Sequence, residues 1–394
     1  MYSGQFVLSQ IMRSTSEYYF QKCVDKYNGD DYVKHFSCWQ QFQSLAFGQL
    51  TFRESLRDIV CTLEPHSKKL YHLGFTCPIK RSTLAEANEC RDYRIFEEFG
   101  YFLIKKTNKL YRDDSIFLDD VHSIAYGLDS STVDLCLNIF PWARFRKKKG
   151  AIKIHTLLDL GNSIPAFVRI TEGSEHDVKM LDEMEIEPNA FYVMDRAYID
   201  YKRLYILHKE KGYFVTRTKR NLKYRRLYSR SVDKSKGLRC DQTIVLTGIK
   251  SKTRYPEKLR RIKYYDKEQD RYIIFLTNNF EVKAENIAAL YKARWQIELF
   301  FKWIKGNLRV KKFWGRSKNA VKIQIWVAIC TYLIIAIIRK ELDLEKPMSE
   351  ILQILSILPF GRIPLDKLLS DDYDHCSIPS VDFQAKLPGF LTGH

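Results

Sequence analysis

The chain has 394 residues, 45% hydrophobic and 28% charged, with a formal net charge of +18. This balance excludes a wholly disordered polymer and leaves room for one large core with accessory domains. A cationic surplus of this size gathers polyanions, so nucleic acid is the leading partner, with a merely basic soluble protein as the alternative. Aromatics reach 14%; mixed with cations they suit stacking on bases, although most belong to a core. The nine cysteines are scattered and form no C-x-x-C pair. That argues against a zinc site or disulfide framework and fits reduced thiols in the cytoplasm.

The N-terminus lacks the cationic start and long apolar run of a signal peptide. The first ~110 residues read as helical, with apolar residues at three- and four-residue spacing in Val7, Leu8 and Ile11 and again in Phe42, Leu45 and Ala46. Ser82–Glu86 reads as a helix start with a hydroxyl cap, and Lys80 and Arg81 precede it where a phosphate docks readily. After Asp119 the pattern changes. Ser123–Asp129 fits a strand ending on an acid. Ala151–Asp159 and Ile164–Ile170 fit two more strands around the hairpin turn Leu160–Ser163. A helix over His176–Met184 follows. The short buried strand Ala190–Met194 delivers Asp195 at its end, and helix Tyr201–Lys211 and strand Tyr213–Thr218 come next. The order describes a mixed α/β sheet with helices on its faces. From about 219 to 280 the chain is basic, polar and β-rich, which reads as an inserted subdomain. Helical periodicity returns at Glu285 and runs past Lys305. The apolar run Ile325–Ile338 is shorter than the about 20 residues a bilayer span needs, so it reads as a buried core helix rather than a membrane segment. The expected division is 1–115 (helical, DNA-binding), 116–218 (core, first part), 219–282 (β-rich insertion), 283–345 (core, second part) and 346–394 (tail).

Cleavage of a phosphodiester by two metal ions requires convergent carboxylates, because hard divalent cations prefer oxygen ligands. Asp129 and Asp195 each follow an apolar strand, although each alone fits a turn or cap acid equally well. The helix over 285–307 is more informative. Tyr291, Arg294, Glu298 and Lys305 fall in one narrow stripe, while Ile297, Phe300, Phe301 and Ile304 line the opposite side. A carboxylate flanked by cations on one stripe suits a metal ligand beside phosphate-holding groups. A salt-bridged surface helix fits the spacing as well. Arg144, Lys147 and Lys148, then Arg217, Lys219 and Arg220, form cationic runs suited to phosphate attraction or simply to solvation. Trp295 suits stacking on a displaced base, or plain packing. His155 and His176 show no ligand spacing, and Asp159 and Asp177 sit where turn and helix-start acids are ordinary.

The string Y-x2-R-x3-E-x6-K in Tyr291–Lys305 resembles the signature of the IS-four family of insertion-sequence transposases, within the DDE group. YGLDSST around Asp129, YVMDRAY around Asp195, the stretch Lys153–Asp177 and the N-terminal string Ser82–Phe96 are similar to further family segments. The resemblance implies a ribonuclease H-like mixed sheet flanked by helices, with a β-rich insertion and a helical N-terminal domain. It implies Asp129, Asp195 and Glu298 as catalytic residues on two Mg²⁺ ions, with Mn²⁺ as a substitute. It implies DNA contacts from Tyr291, Arg294 and Lys305, double-stranded DNA as transposon end and target, and a homodimer bridging two ends at the bacterial nucleoid. Transposon ends would be hydrolysed and their 3′ ends joined to target DNA. A ribonuclease H-like nuclease without strand transfer, and a non-catalytic DNA-binding relative, are the alternatives.

Overall fold

The computed structural model describes residues 4–115, 123–146, 149–219 and 221–370. Its centre is one ten-stranded sheet: β1 (Ala125–Leu135), β2 (Arg144–Arg146), β3 (Lys149–Asp159), β4 (Pro165–Glu172), β5 (Phe191–Met194), β6 (Tyr213–Arg217), β7 (Tyr224–Arg230), β8 (Leu238–Leu246), β9 (Leu259–Asp266) and β10 (Arg271–Thr277). Across the sheet the order is β2-β3-β1-β5-β6-β10-β9-β8-β7, with β4 also paired to β3. The pairs β1–β5 and β5–β6 are parallel, and the other ladders are antiparallel. This is the mixed, helix-flanked sheet of the ribonuclease H-like class, with a helical N-terminal region.

Local chemistry explains the central elements. β5 is apolar at every position and fully buried, as expected of a strand with parallel neighbours and helices on both faces. The turn between β3 and β4 places Ser163 at φ 62°, where Asp159 accepts from the Gly161 N–H and the Asn162 amide. The helix Lys318–Glu341 starts at Ser317, whose side chain accepts from the Ala320 N–H, and ends with Arg339 and Lys340 against its negative pole. It is apolar all round and long enough to cross a membrane. Every residue from Ile323 to Ile338 is buried inside the protein, which makes it a core helix. Its partner, the helix Tyr93–Leu110, comes close at Gly100, where a Cβ would stand 2.7 Å from the Trp326 ring.

Several elements differ from the sequence expectation. β1 does not end at Asp129 but continues to Leu135, because β3 pairs with it along its whole length. The β-rich segment is no separate sheet: β10 pairs with β6, so β7 to β10 extend the central sheet. The helix expected over His176–Met184 is a 3-10 turn over Asp177–Asp182. The helix after Lys80 begins at Arg81 with Lys80 as its N-cap and no side-chain cap, so Ser82 lies inside it.

One face of the sheet is covered by the helices Ala284–Ala293, Trp295–Asn307 and Lys318–Glu341. The opposite face packs against Tyr201–Lys209. The N-terminal helices share a single apolar cluster with Lys318–Glu341 and with strand residues such as Val133, Ile154 and Val168.

Candidate active site

The parallel strands set the site. Leu128 pairs with Met194 and Met194 with Thr216, so the next residues, Asp129, Asp195 and Arg217, follow at the same level on three adjacent strands. Side chains alternate across a strand. Because Val193 belongs to the core under Ala284–Ala293, Asp195 points to that same helix-covered face. The helix expected over 285–307 is two helices, Ala284–Ala293 and Trp295–Asn307, that meet at Arg294. Ile297, Phe300, Phe301 and Ile304 are buried, and Glu298 is half-buried and reaches Arg294 on its own helix surface.

Arg294 joins the parts. Its Nη1 donates to Asp129 Oδ2 at 2.9 Å, although 165 positions separate the two, and its Nη2 donates to Glu298 Oε1. Its Nε is buried without a hydrogen-bond partner. Burial foremost pushes the Asp129 carboxyl above the usual carboxylate range; the Ser130 N–H and Arg294 oppose this, while Glu298 and Asp195 add to it. Burial acts to lower the pKa of the Arg294 guanidinium, but the neighbouring carboxylates outweigh it and the net shift is upward. Two acids thus share one guanidinium, and Asp195 stands near enough to Asp129 to raise its carboxyl.

Tyr291 is buried with its ring 5.1 Å from Phe275, and burial raises its phenol, with Asp195 adding to the shift. Lys305 donates to the Thr132 carbonyl at 2.7 Å and pins its helix to β1. Burial foremost, and Lys311 next, lower its pKa. Trp295 is 58% exposed beside Arg294. Lys219 is exposed and reaches the Ile199 carbonyl at 3.3 Å, just beyond Asp195. Arg144 is exposed on the short strand β2, away from the Arg294 cluster. Lys147, Lys148 and Arg220 lie outside the described residues.

Sequence reasoning missed a second polar cluster behind β1. Ser130 Oγ donates to Asp177 Oδ1 at 2.8 Å, and Lys153 Nζ donates to the same oxygen at 3.0 Å. His155 is fully buried, contacts Thr171 Oγ1 at 2.8 Å, and is held neutral by burial, its pKa lowered to about 4. The signal was present in the alternation of β1, which turns Ser130 to the face opposite Asp129. The register pairing Ser130 with His155 was not readable from spacing.

A divalent ion of the kind this fold implies finds suitable donors here. The acids supply hard oxygens, and the repulsion of Asp129 by Glu298 and Asp195 favours a cation among them. Among the described residues no three His, Cys, Asp or Glu side chains are gathered as an ion-binding group, and Arg294 is ion-paired with both Asp129 and Glu298.

Strand-borne carboxylates, a helix-borne carboxylate and a ribonuclease H-like sheet define the class of metal-dependent DNA-processing enzymes. Residues 126–334 match the family described as Transposase DDE domain, and residues 3–76 match a domain of unknown function (DUF4372). A Sinorhizobium fredii protein named as a transposase is 31% identical over 258 residues, covering 64% of this chain and 70% of the relative. A Geobacillus stearothermophilus protein named as the transposase for insertion sequence element IS5377 is 28% identical, over 72% and 74%. A Synechocystis protein named as the transposase for insertion sequence element IS4SA is 29% identical, over 69% and 75%. The chain belongs to the DDE transposase family: it is an insertion-sequence transposase, a divalent-metal-dependent enzyme that acts on DNA.

Proposed function

We propose that Asp129, Asp195 and Glu298 are the catalytic carboxylates of this transposase, and that they hold two Mg²⁺ ions, for which Mn²⁺ can substitute. The supporting observation is the Arg294 bridge, which draws a strand carboxylate and a helix carboxylate together from distant parts of the chain. Bound there, such ions would supply activation of the attacking oxygen and stabilisation of the leaving one. Arg294 offsets the charges of Asp129 and Glu298 and keeps the two carboxylates on one side of the sheet. Lys305 fixes the angle of the Glu298 helix through Thr132. Trp295, Arg217 and Lys219 surround the acids with a stacking surface and cations for the phosphate backbone, and Tyr291 packs beneath them. Arg144 extends that attraction from the far edge of the sheet. The N-terminal helices (1–115) bind the ends of the insertion sequence, the core (116–218 and 283–345) carries the chemistry, and 219–282 and 346–394 are accessory. A homodimer holds two ends, and the enzyme joins their 3′ hydroxyls to target DNA at the bacterial nucleoid.

A strand-transfer assay with labelled terminal DNA, target DNA and Mg²⁺ tests this. Joined product is expected from the wild type. Glu298→Ala is expected to lose cleavage and joining while binding the same DNA within about threefold, since the exposed cations remain. Retained cleavage by Glu298→Ala would refute the assignment.

A further inference from the structure

At Asp129 the strand β1 loses a neighbour. Leu128–Met194 is the last pair of its ladder with β5, whereas its ladder with β3 runs on to Leu135. Asp129 and Ser130 therefore have a strand partner on one side only. The Ser130 N–H donates to Asp129 Oδ1 at 2.8 Å instead of to a neighbouring strand. The two oxygens of Asp129 are thus held by different parts of the chain, Oδ1 by this N–H and Oδ2 by Arg294. The Arg294 fork is divided between Asp129 and Glu298, and its direction follows a long side chain. The N–H belongs to the backbone and keeps its direction for as long as the Asp129–Ser130 peptide keeps its own.

That peptide is pinned from behind. Alternation turns Ser130 to the face of β1 opposite Asp129. There Ser130 Oγ donates to Asp177 Oδ1 at 2.8 Å, and Lys153 Nζ reaches the same oxygen at 3.0 Å. Asp177 belongs to the 3-10 turn after β4 and Lys153 to β3, so three segments are tied at one oxygen. The largely buried Lys153 ammonium supplies the countercharge and also donates to the Glu175 carbonyl at 2.7 Å, which holds the turn that carries Asp177. His155 Nδ1 stands 3.8 Å from the same Asp177 oxygen, but its ring is neutral and fully buried and adds no ion pair. A hydroxyl bonded to a carboxylate is held more firmly than one bonded to a neutral acceptor. Groups placed behind a metal-binding carboxylate in this way fix the angle at which its oxygens are offered.

We propose that Ser130 and Asp177 are positioning residues for the reaction: anchored by Lys153, they fix the peptide whose N–H sets the direction in which Asp129 presents its carboxylate to a divalent ion. The inference rests on the assignment of Asp129 as a metal-binding carboxylate. Titration of the full chain with Mn²⁺ tests it, following the cleavage of labelled terminal DNA and, separately, the metal-induced rise in melting temperature. Ser130→Ala and Asp177→Ala are each expected to move both Mn²⁺ midpoints upward by on the order of tenfold. Ser130→Thr, which keeps the hydroxyl on a residue suited to a strand, should return both midpoints to the wild-type range. Should Asp177→Ala fail to fold, the smaller change Ser130→Ala still decides. Wild-type midpoints in Ser130→Ala overturn the proposal, and a lowered melting temperature in EDTA as its only change marks a scaffold contact and does the same. So does a folded Ser130→Thr that behaves as Ser130→Ala. Asp129→Asn separates the two claims. If it responds to Mn²⁺ as the wild type does, the carboxylate assignment itself fails; if it loses the response while Ser130→Ala keeps it, only the positioning role fails.

Discussion

Arg294 occupies a position where a lysine could not serve. It donates to Asp129 and Glu298 through separate nitrogens, a fork that a single ammonium does not reproduce. Removing it leaves two half-buried carboxylates facing each other, with Asp195 beside them. Arg294→Ala is therefore expected to lower the melting temperature in EDTA. Added Mg²⁺ should raise the midpoint more in Arg294→Ala than in the wild type, since the ion then supplies the missing positive charge. Differential scanning fluorimetry with and without Mg²⁺ measures both; equal metal-induced shifts would show that Arg294 and the ion do not compete for these acids. At this scale much was legible. A carboxylate following the apolar run Phe191–Met194, and a helical stripe carrying Tyr291, Arg294 and Glu298, can be read from spacing alone. That Arg294 pairs with Asp129 could not be read, because the contact depends on how the helix lies across the sheet. Asp177 does stand in the first turn of a short helix, as its place in the sequence suggests, and it also holds Ser130 and Lys153 behind β1.

Among the elements, the contact between Tyr93–Leu110 and Lys318–Glu341 is the most exposed to test. Gly100 lets the two helix backbones approach, and a branched side chain there would collide with the Trp326 ring, itself fully buried. Gly100→Val is expected to destabilise the protein by about 1–3 kcal/mol through overpacking, read as a lower urea midpoint with unchanged slope. A neutral result would mean the helices slide apart freely. Period-two alternation disclosed the strands of 219–280, but alternation says nothing of which neighbour a strand pairs with. The bond network joining β10 to β6 makes them part of the central sheet, and that long-range choice was hidden from sequence. The break at Arg294 was hidden for a related reason. Its residues are ordinary helix formers with no Pro or Gly among them, and Arg294 itself keeps right-handed helical dihedrals, so nothing in the local sequence marks the interruption.

At the scale of the whole molecule, the N-terminal helices and the late helix Lys318–Glu341 form one apolar cluster. A fragment that begins at residue 123 would bare that cluster, and it is expected to partition to the insoluble fraction or to bind a hydrophobic dye strongly, while the full chain does neither. A soluble, dye-silent fragment would show that the core closes without its N-terminal partners. The order of synthesis gives this arrangement a further consequence. The helix that by length and hydropathy could pass for a membrane anchor emerges from the ribosome after Tyr93–Leu110 and Cys38–Leu50 are already made. Its receiving surface is thus waiting when it appears, which shortens the interval in which bilayer-insertion machinery could capture it.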